Sequence, residues 1–420
     1  MTALRGELLS GNLSGVIDPS IGYGEQLRSR ADALATLCVH AGEPPGEDGS
    51  LDPPIVMSSA FAFESAEHAA RAFRGEEEAW IYGRWGNPTV AALETKLAAL
   101  EQAEAACATA SGMAAISGAV LTACEAGDHV VAPRSMYAES ARLFRERLPR
   151  FGIQTTFVDG DVNAYAAAMT PRTRILYVET PSNPMLGVVD VAAIAALART
   201  GANRPLVIVD GTFATPFAQT PLAVGADLVL HSMTKGISGH GDVIGGVVAG
   251  SAELVSRVRD TVIKGFGGVL SPLSAWLVAR GLRTFAIRQE RACASAAALA
   301  AHLAAHPRVV RVHHPSLSNH PGHALARRQM FAYGALLSFE IAGENAVVRG
   351  RTVLESLRLA THAVSLGDVR TLVVHPASTT HSTMPAETRR LAGIQDGLLR
   401  VSCGLEGAAD LIADFDRALG

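Results

Sequence analysis

Between residues 129 and 249, short apolar runs alternate with helix-like stretches, and that alternation leaves few architectures open to the chain. The strand candidates are His129–Ala132, Ile153–Val158, Ile175–Val178, Leu206–Val209, Leu228–Leu230 and Ile244–Ala249. Ala138–Leu148, Asn163–Met169 and Val191–Thr200 read as helices between the first four of these. Near-continuous apolar strands have both faces covered, so the pattern predicts an α/β fold with a mostly parallel sheet under helices. A helix-like region opens near Pro272–Gln289, and beyond it helices dominate, with strands expected at Val309–Val312, Ala335–Phe339 and Leu398–Cys403. The expected division is an extended N-terminal arm over residues 1–60, a large domain over 61–280 and a smaller C-terminal α/β domain over 281–420. At 420 residues and 48% hydrophobic, the chain is long enough and apolar enough for two cores.

From Thr89 the apolar positions take helical spacing: Val90, Leu93, Leu97 and Leu100 share one face, with Glu94, Lys96 and Glu101 on the other. Lys96 then reads as a solvated residue. It is one of only three lysines (with Lys235 and Lys264) among 36 basic residues, so each is a candidate amine nucleophile, a role guanidinium cannot take. The net charge of −4, without basic runs, argues against nucleic acid as a partner. Five scattered cysteines, none at C-x-x-C spacing, fit neither a disulfide framework nor a thiolate zinc site and point to a reducing, cytoplasmic compartment. Met1–Ser14 resembles no leader, and no stretch reaches the roughly 18 apolar residues of a membrane span.

Two strand ends carry candidate chemistry. Val207-Ile208-Val209-Asp210 places a carboxylate at the carboxyl end of a buried strand, where crevices open in α/β sheets. His231-Ser232-Met233-Thr234-Lys235 places two hydroxyls and a lysine just past another. Alone, Asp210 is as easily a turn or helix cap and Lys235 a solvated side chain. Together, an amine, a buried carboxylate and two hydroxyls suit pyridoxal phosphate: an imine to lysine, a protonated ring nitrogen and a held phosphate. Ser111-Gly112-Met113 opens a helix with small residues, as an anion-binding N-terminus requires.

At these residues the chain resembles the pyridoxal-phosphate enzymes of cysteine and methionine metabolism. That family includes cystathionine γ-synthase and γ-lyase, O-acetylhomoserine sulfhydrylase and methionine γ-lyase. The shared motifs are Tyr82-Gly83-Arg84, Ser111-Gly112-Met113, Glu179-Thr180-Pro181-Ser182-Asn183-Pro184, Ser232-Met233-Thr234-Lys235, Gly239-His240-Gly241-Asp242 and Arg400-Val401-Ser402-Cys403-Gly404. Val364-Ser365-Leu366-Gly367-Asp368 and Thr380-His381-Ser382 look most like the methionine γ-lyase branch. The resemblance implies an aspartate-aminotransferase-like fold and an enzyme acting at Cγ of a homoserine- or methionine-like amino acid. γ-Elimination to 2-oxobutanoate and ammonia is favoured, with γ-replacement as the alternative and a non-catalytic binding protein as the remote one. It implies Lys235 as the residue joined to the cofactor, Asp210 at the ring nitrogen, Tyr137 stacked on the ring and moving a proton, and Asn183 at the phenolic oxygen. Gly112, Met113, Ser232 and Thr234 would hold the phosphate with Tyr82 and Arg84 of a neighbouring subunit, so a homodimer is the minimum and a homotetramer the expectation. Ser365 and Arg400 would grip the substrate carboxylate.

The chain departs from that family at several positions, among them Lys264-Gly265, where methionine γ-lyases carry a lysine–aspartate pair. Gly211 and Gly236 replace the usual asparagine and tyrosine, which predicts room beside the cofactor. Glu139 and Arg370 stand where the branches carry a cysteine and a glutamate, and a substrate with a charged distal end would use them. No metal site is expected: His302 and His306 have H-x-x-x-H spacing without the glutamate of H-E-x-x-H.

Overall fold

Apolar strands with two buried faces build most of the larger sheet. A computed structural model describes residues 21–420 apart from 44–45, 47–48, 202, 342, 344, 383–385 and 392, so the reading of Met1–Ser14 lies outside the described residues. Seven strands, β1 (Ala105–Thr109), β2 (His129–Pro133), β3 (Gln154–Val158), β4 (Thr173–Glu179), β5 (Leu206–Asp210), β6 (Leu228–Ser232) and β7 (Gly246–Gly250), lie in the order β1-β7-β6-β5-β4-β2-β3. Strand β7 is antiparallel to both neighbours, and the other pairs are parallel. Successive side chains take opposite faces: Val207 and Val209 of β5 enter one core cluster and Ile208 the other. Strand β1 was not expected, because Ala-Ala-Cys-Ala-Thr is too weakly apolar to stand out.

A second sheet comprises β8 (Val309–His313), β9 (Leu336–Ile341), β10 (Thr361–His362), β11 (Leu372–Val374) and β12 (Leu398–Ser402), in the order β10-β11-β12-β9-β8. The expected helical stretch near 272–289 is two helices, Pro272–Leu282 and Phe285–Ala304. The second spans both cores, with Phe285 and Cys293 in the large one and Leu299 and Leu303 under the small sheet.

Two expectations fail here. The stretch 1–60, read as an extended arm, contains α1 (Tyr23–His40), whose Leu27, Ala31, Leu34, Leu37 and Cys38 are buried. Arg30 breaks that apolar stripe in the sequence yet is itself buried, donating to the carbonyls of Pro216 (2.6 Å) and Phe217 (3.1 Å). The second failure concerns α2 (Pro88–Glu101), started by Asn87, whose side chain accepts from the Thr89 and Val90 amides. Its supposed solvent face is buried as well. Lys96 is fully enclosed, 2.6 Å from Glu43 and 2.7 Å from the Cys38 carbonyl; Glu94 meets Arg259 at 2.7 Å, and Glu101 meets His231 at 2.5 Å. The charges sit inside because the helix is enclosed by its neighbours, and each has found a partner there.

Candidate active site

The carboxyl ends of β4 and β5 bring two carboxylates side by side, Glu179 in register with Asp210. Asp210 accepts from the Thr212 amide (3.0 Å) and the Tyr177 hydroxyl (3.3 Å). Burial pushes its carboxyl upward, opposed by the Thr212 hydrogen bonds and the charge of His231. Glu179 accepts from the amides of Tyr137 (2.8 Å) and Asn183 (3.0 Å), and burial, then the charge of Asp210, raises it too. Glu179 therefore fixes the backbone of two expected site residues. Its position at an apolar strand's end was the available signal, and it carried no assigned role.

Past β6, Thr234 closes a loop on Gly245, accepting from its amide at 3.0 Å, and Arg288 holds the carbonyls of Gly236, Ile237 and Gly281 at 2.9 to 3.1 Å. This presents Lys235 Nζ 2.9 Å from Ser365 Oγ. Burial, then the nearby Arg400 cation, pushes the Lys235 amine down to about 8. Arg400, on β12, donates to Asn183 Oδ1 (3.0 Å) and to the Ser365 carbonyl (2.9 Å), so residues from both sheets converge. Its Nε is buried without a partner among the described residues, as a group awaiting an anion would be. Ser365 holds φ 111°, a backbone strain of the kind found at ligand sites. Tyr137 is 42% exposed at the rim, its phenol raised by burial and Glu139 and opposed by Arg400.

The anion end is a small-residue cradle. Helix α3 (Gly112–Ala123) is capped by Ser111, whose Oγ accepts from the Ala114 amide at 3.1 Å. That leaves the Gly112 and Met113 amides to face an anion at a positive helix end. Gly112 lies against Ser232, where a Cβ would stand 2.8 Å from the serine Cβ. Free amides, two hydroxyls, a buried carboxylate and a depressed amine make a donor set that fits pyridoxal phosphate.

Other expected residues lie apart. Tyr82 and Arg84 have no hydrogen bond or ion pair to this cluster among the described residues. Arg84 instead donates to the Lys264 carbonyl, its guanidinium 5.6 Å from the Tyr82 ring centroid. Arg370, with Thr234, Asp242 and Ser365, lines a cavity of about 480 Å³, and its Nε is 3.2 Å from Asp368 rather than paired to Glu139. Glu139 is exposed and does not line that cavity. The room expected at the two glycines is already filled. A Cβ on Gly211 would stand 2.7 Å from the His231 ring, and one on Gly236 would stand 2.9 Å from the Gln289 amide.

Residues 35–420 match the family model for Cys/Met metabolism PLP-dependent enzymes. An L-methionine gamma-lyase of Fusobacterium nucleatum subsp. polymorphum is 47% identical over 94% of this chain and 99% of its own length. An O-succinylhomoserine sulfhydrylase of Pseudomonas aeruginosa is 42% identical over 92% of this chain and 95% of its own. Among solved structures, metB from Corynebacterium glutamicum superposes with a TM-score of 0.85 at 36% identity, covering 96% of this chain and 99% of that one.

Proposed function

We propose that this chain, which belongs to the Cys/Met metabolism family of pyridoxal-phosphate-dependent enzymes, acts at Cγ of a homoserine- or methionine-like amino acid. γ-Elimination to 2-oxobutanoate and ammonia is the favoured outcome. The observation that carries it is the placement of the Lys235 amine 2.9 Å from Ser365, whose carbonyl Arg400 holds, with burial and then the Arg400 cation pushing that amine down to about 8. Similarity to L-methionine gamma-lyases supports elimination. A sulfhydrylase relative at 42% identity supports γ-replacement as the second reading.

When bound, the cofactor draws electron density from Cα and Cβ so that a γ-substituent can depart. Lys235 would hold the cofactor covalently and, as a free amine, would move protons at the substrate carbons. Asp210 would hold the ring-nitrogen proton and Asn183 would serve the phenolic oxygen. Tyr137 would cover the ring and move a proton. The Gly112 and Met113 amides, Ser232 and Thr234 would hold the phosphate, joined by Tyr82 and Arg84 of a second subunit. Arg400 and Ser365 grip the substrate carboxylate, with Asn183 Oδ1 fixing the guanidinium plane. Arg370, at the cavity wall, meets the distal end of the substrate; Glu139, exposed and outside that cavity, is the weaker candidate. The assembly is a homodimer at least and a homotetramer by expectation, with no nucleic acid or membrane partner. No described helix is long and apolar enough to cross a membrane, and the free cysteines support a cytoplasmic setting.

The test is a substrate panel of methionine, cystathionine and O-acyl homoserines, with and without an added thiol. 2-Oxobutanoate in excess of new C–S product is the expected result. A protein that cannot be loaded with cofactor, or that borohydride does not label at Lys235, would refute the reading.

A further inference from the structure

The last residue of α2 reaches the strand that leads to Lys235. Glu101 Oε1 lies 2.5 Å from His231 Nε2, and both side chains are 1% exposed. Each has a buried atom left over, Glu101 Oε2 and His231 Nδ1, that makes no hydrogen bond of good geometry among the described residues, although the Gly211 backbone beside the ring also favours its charged form. His231 follows Leu230, the β6 residue in register with Asp210, and its ring lies so close to Gly211 that a Cβ there would stand 2.7 Å from Cε1. Glycine at 211 thus admits the ring behind the site's carboxylate.

A buried imidazole normally sheds its proton, as at His314, which burial pushes down to about 4. Burial acts the same way on His231, but Glu101 and then Asp210 turn the balance upward. The charged groups around the pair are Glu101 of α2, Asp210 of β5 and Arg30 of α1, which interacts with Glu101. Tyr177 and Glu179 lie on the far side of Asp210.

We propose that Glu101 and His231 are a positioning pair: the glutamate keeps a buried imidazolium behind Asp210, and the imidazolium keeps Asp210 a carboxylate. The cofactor's ring proton then stays on nitrogen. The inference rests on the assignment of Asp210 to that nitrogen. Neither member of the pair is placed in contact with cofactor or substrate, so both act through Asp210. Without the imidazolium, Asp210 becomes more basic and takes the shared proton, which weakens electron withdrawal from the substrate.

The test uses the holoenzyme. A neutron structure of the wild type should find deuterium on both ring nitrogens of His231, and loading with 15N-labelled pyridoxal phosphate should give a protonated ring nitrogen by solid-state NMR. In His231→Gln and Glu101→Gln, that nitrogen signal should move toward neutral pyridine at the same pH. kcat should fall roughly tenfold or more, the loss of about one pKa unit of bias, with KM changed less than about threefold. Melting temperature and borohydride labelling of Lys235 report whether each variant is folded and loaded. A neutral His231 in the wild type overturns the proposal and needs no variant to fold. Folded, loaded variants with an unchanged ring nitrogen overturn it as well. An unprotonated ring nitrogen in the wild type, or one indifferent to Asp210→Asn, removes the reading beneath it and is told apart by those two measurements.

Discussion

Lys96 and Lys235 are both withdrawn from water, but into opposite surroundings. Lys96 sits in the core where α2 packs on the turn after α1, with Glu43 at 2.6 Å and the Cys38 carbonyl at 2.7 Å. Glu43 is also held by Arg283 at 2.6 Å, which reaches Asp52 at 2.5 Å, so one carboxylate joins two cations in a bolt across the fold. Lys235 faces a hydroxyl and, further off, the Arg400 cation, and no carboxylate forms an ion pair with it among the described residues. Burial lowers both amines, but at Lys96 it is countered by Glu43, whereas at Lys235 the neighbouring charge adds to it. The same residue type is therefore a structural cation in one region and an available nucleophile in the other. The difference lies in the partner rather than in the depth.

Exchanging the two roles should produce the largest effects. Lys235→Ala should lower kcat/KM more than roughly a thousandfold while the protein still folds, as loss of a covalent cofactor attachment implies. Lys96→Met should do the reverse, destabilising the fold by about 3 kcal/mol in denaturant melts because Glu43 loses a buried partner. Its turnover per folded molecule should stay near wild type. A Lys96→Met enzyme that is stable but inactive would break the comparison.

Next comes the cation that distinguishes Lys235. Arg400→Met should raise KM and lower kcat/KM roughly a hundredfold through lost charge-assisted hydrogen bonds to the substrate carboxylate. It should also move the Lys235 amine back toward its ordinary range, read by pH-dependent acylation of the cofactor-free protein. In the wild type that labelling should rise through pH about 8. Lys96 should remain unlabelled throughout.

The same shift has a stability consequence. The folded Lys235 amine lies below its unfolded value, so the folded state holds fewer protons between about 8 and the usual lysine range near ~10.4. The destabilisation is present in full below that window and is relieved as pH rises through it. Lys235→Met should remove this pH-dependent gain from the cofactor-free protein's melting curve. A gain that persists in Lys235→Met would assign it to another group. The smallest expected effect is at the neighbouring glycine: Gly236→Ala should cost about 1 kcal/mol, since its Cβ meets the Gln289 amide at 2.9 Å.

Sequence alone determined the parts of this protein that depend on local pattern. Most strands of the larger sheet follow from runs such as Val207-Ile208-Val209, because a strand buried on both faces is apolar nearly throughout, whereas the edge strand β3 keeps Gln154 and Thr156 exposed. The residues proposed to hold the cofactor were legible because Asp210 ends one such strand and Lys235 lies just past another, where the sheet opens its crevice. Tertiary structure decided whatever depends on which neighbours surround a charge. Lys96, Glu94 and Glu101 have the spacing of a solvated helix face, and only the packing of other elements over that face makes them buried partners. Gly211 and Gly236 suggested space, and His231 and Gln289, from distant parts of the chain, take it up. Periodicity records which side of an element is apolar. It does not record how many sides are covered, and a charged residue is tolerated inside wherever the fold supplies its counter-charge.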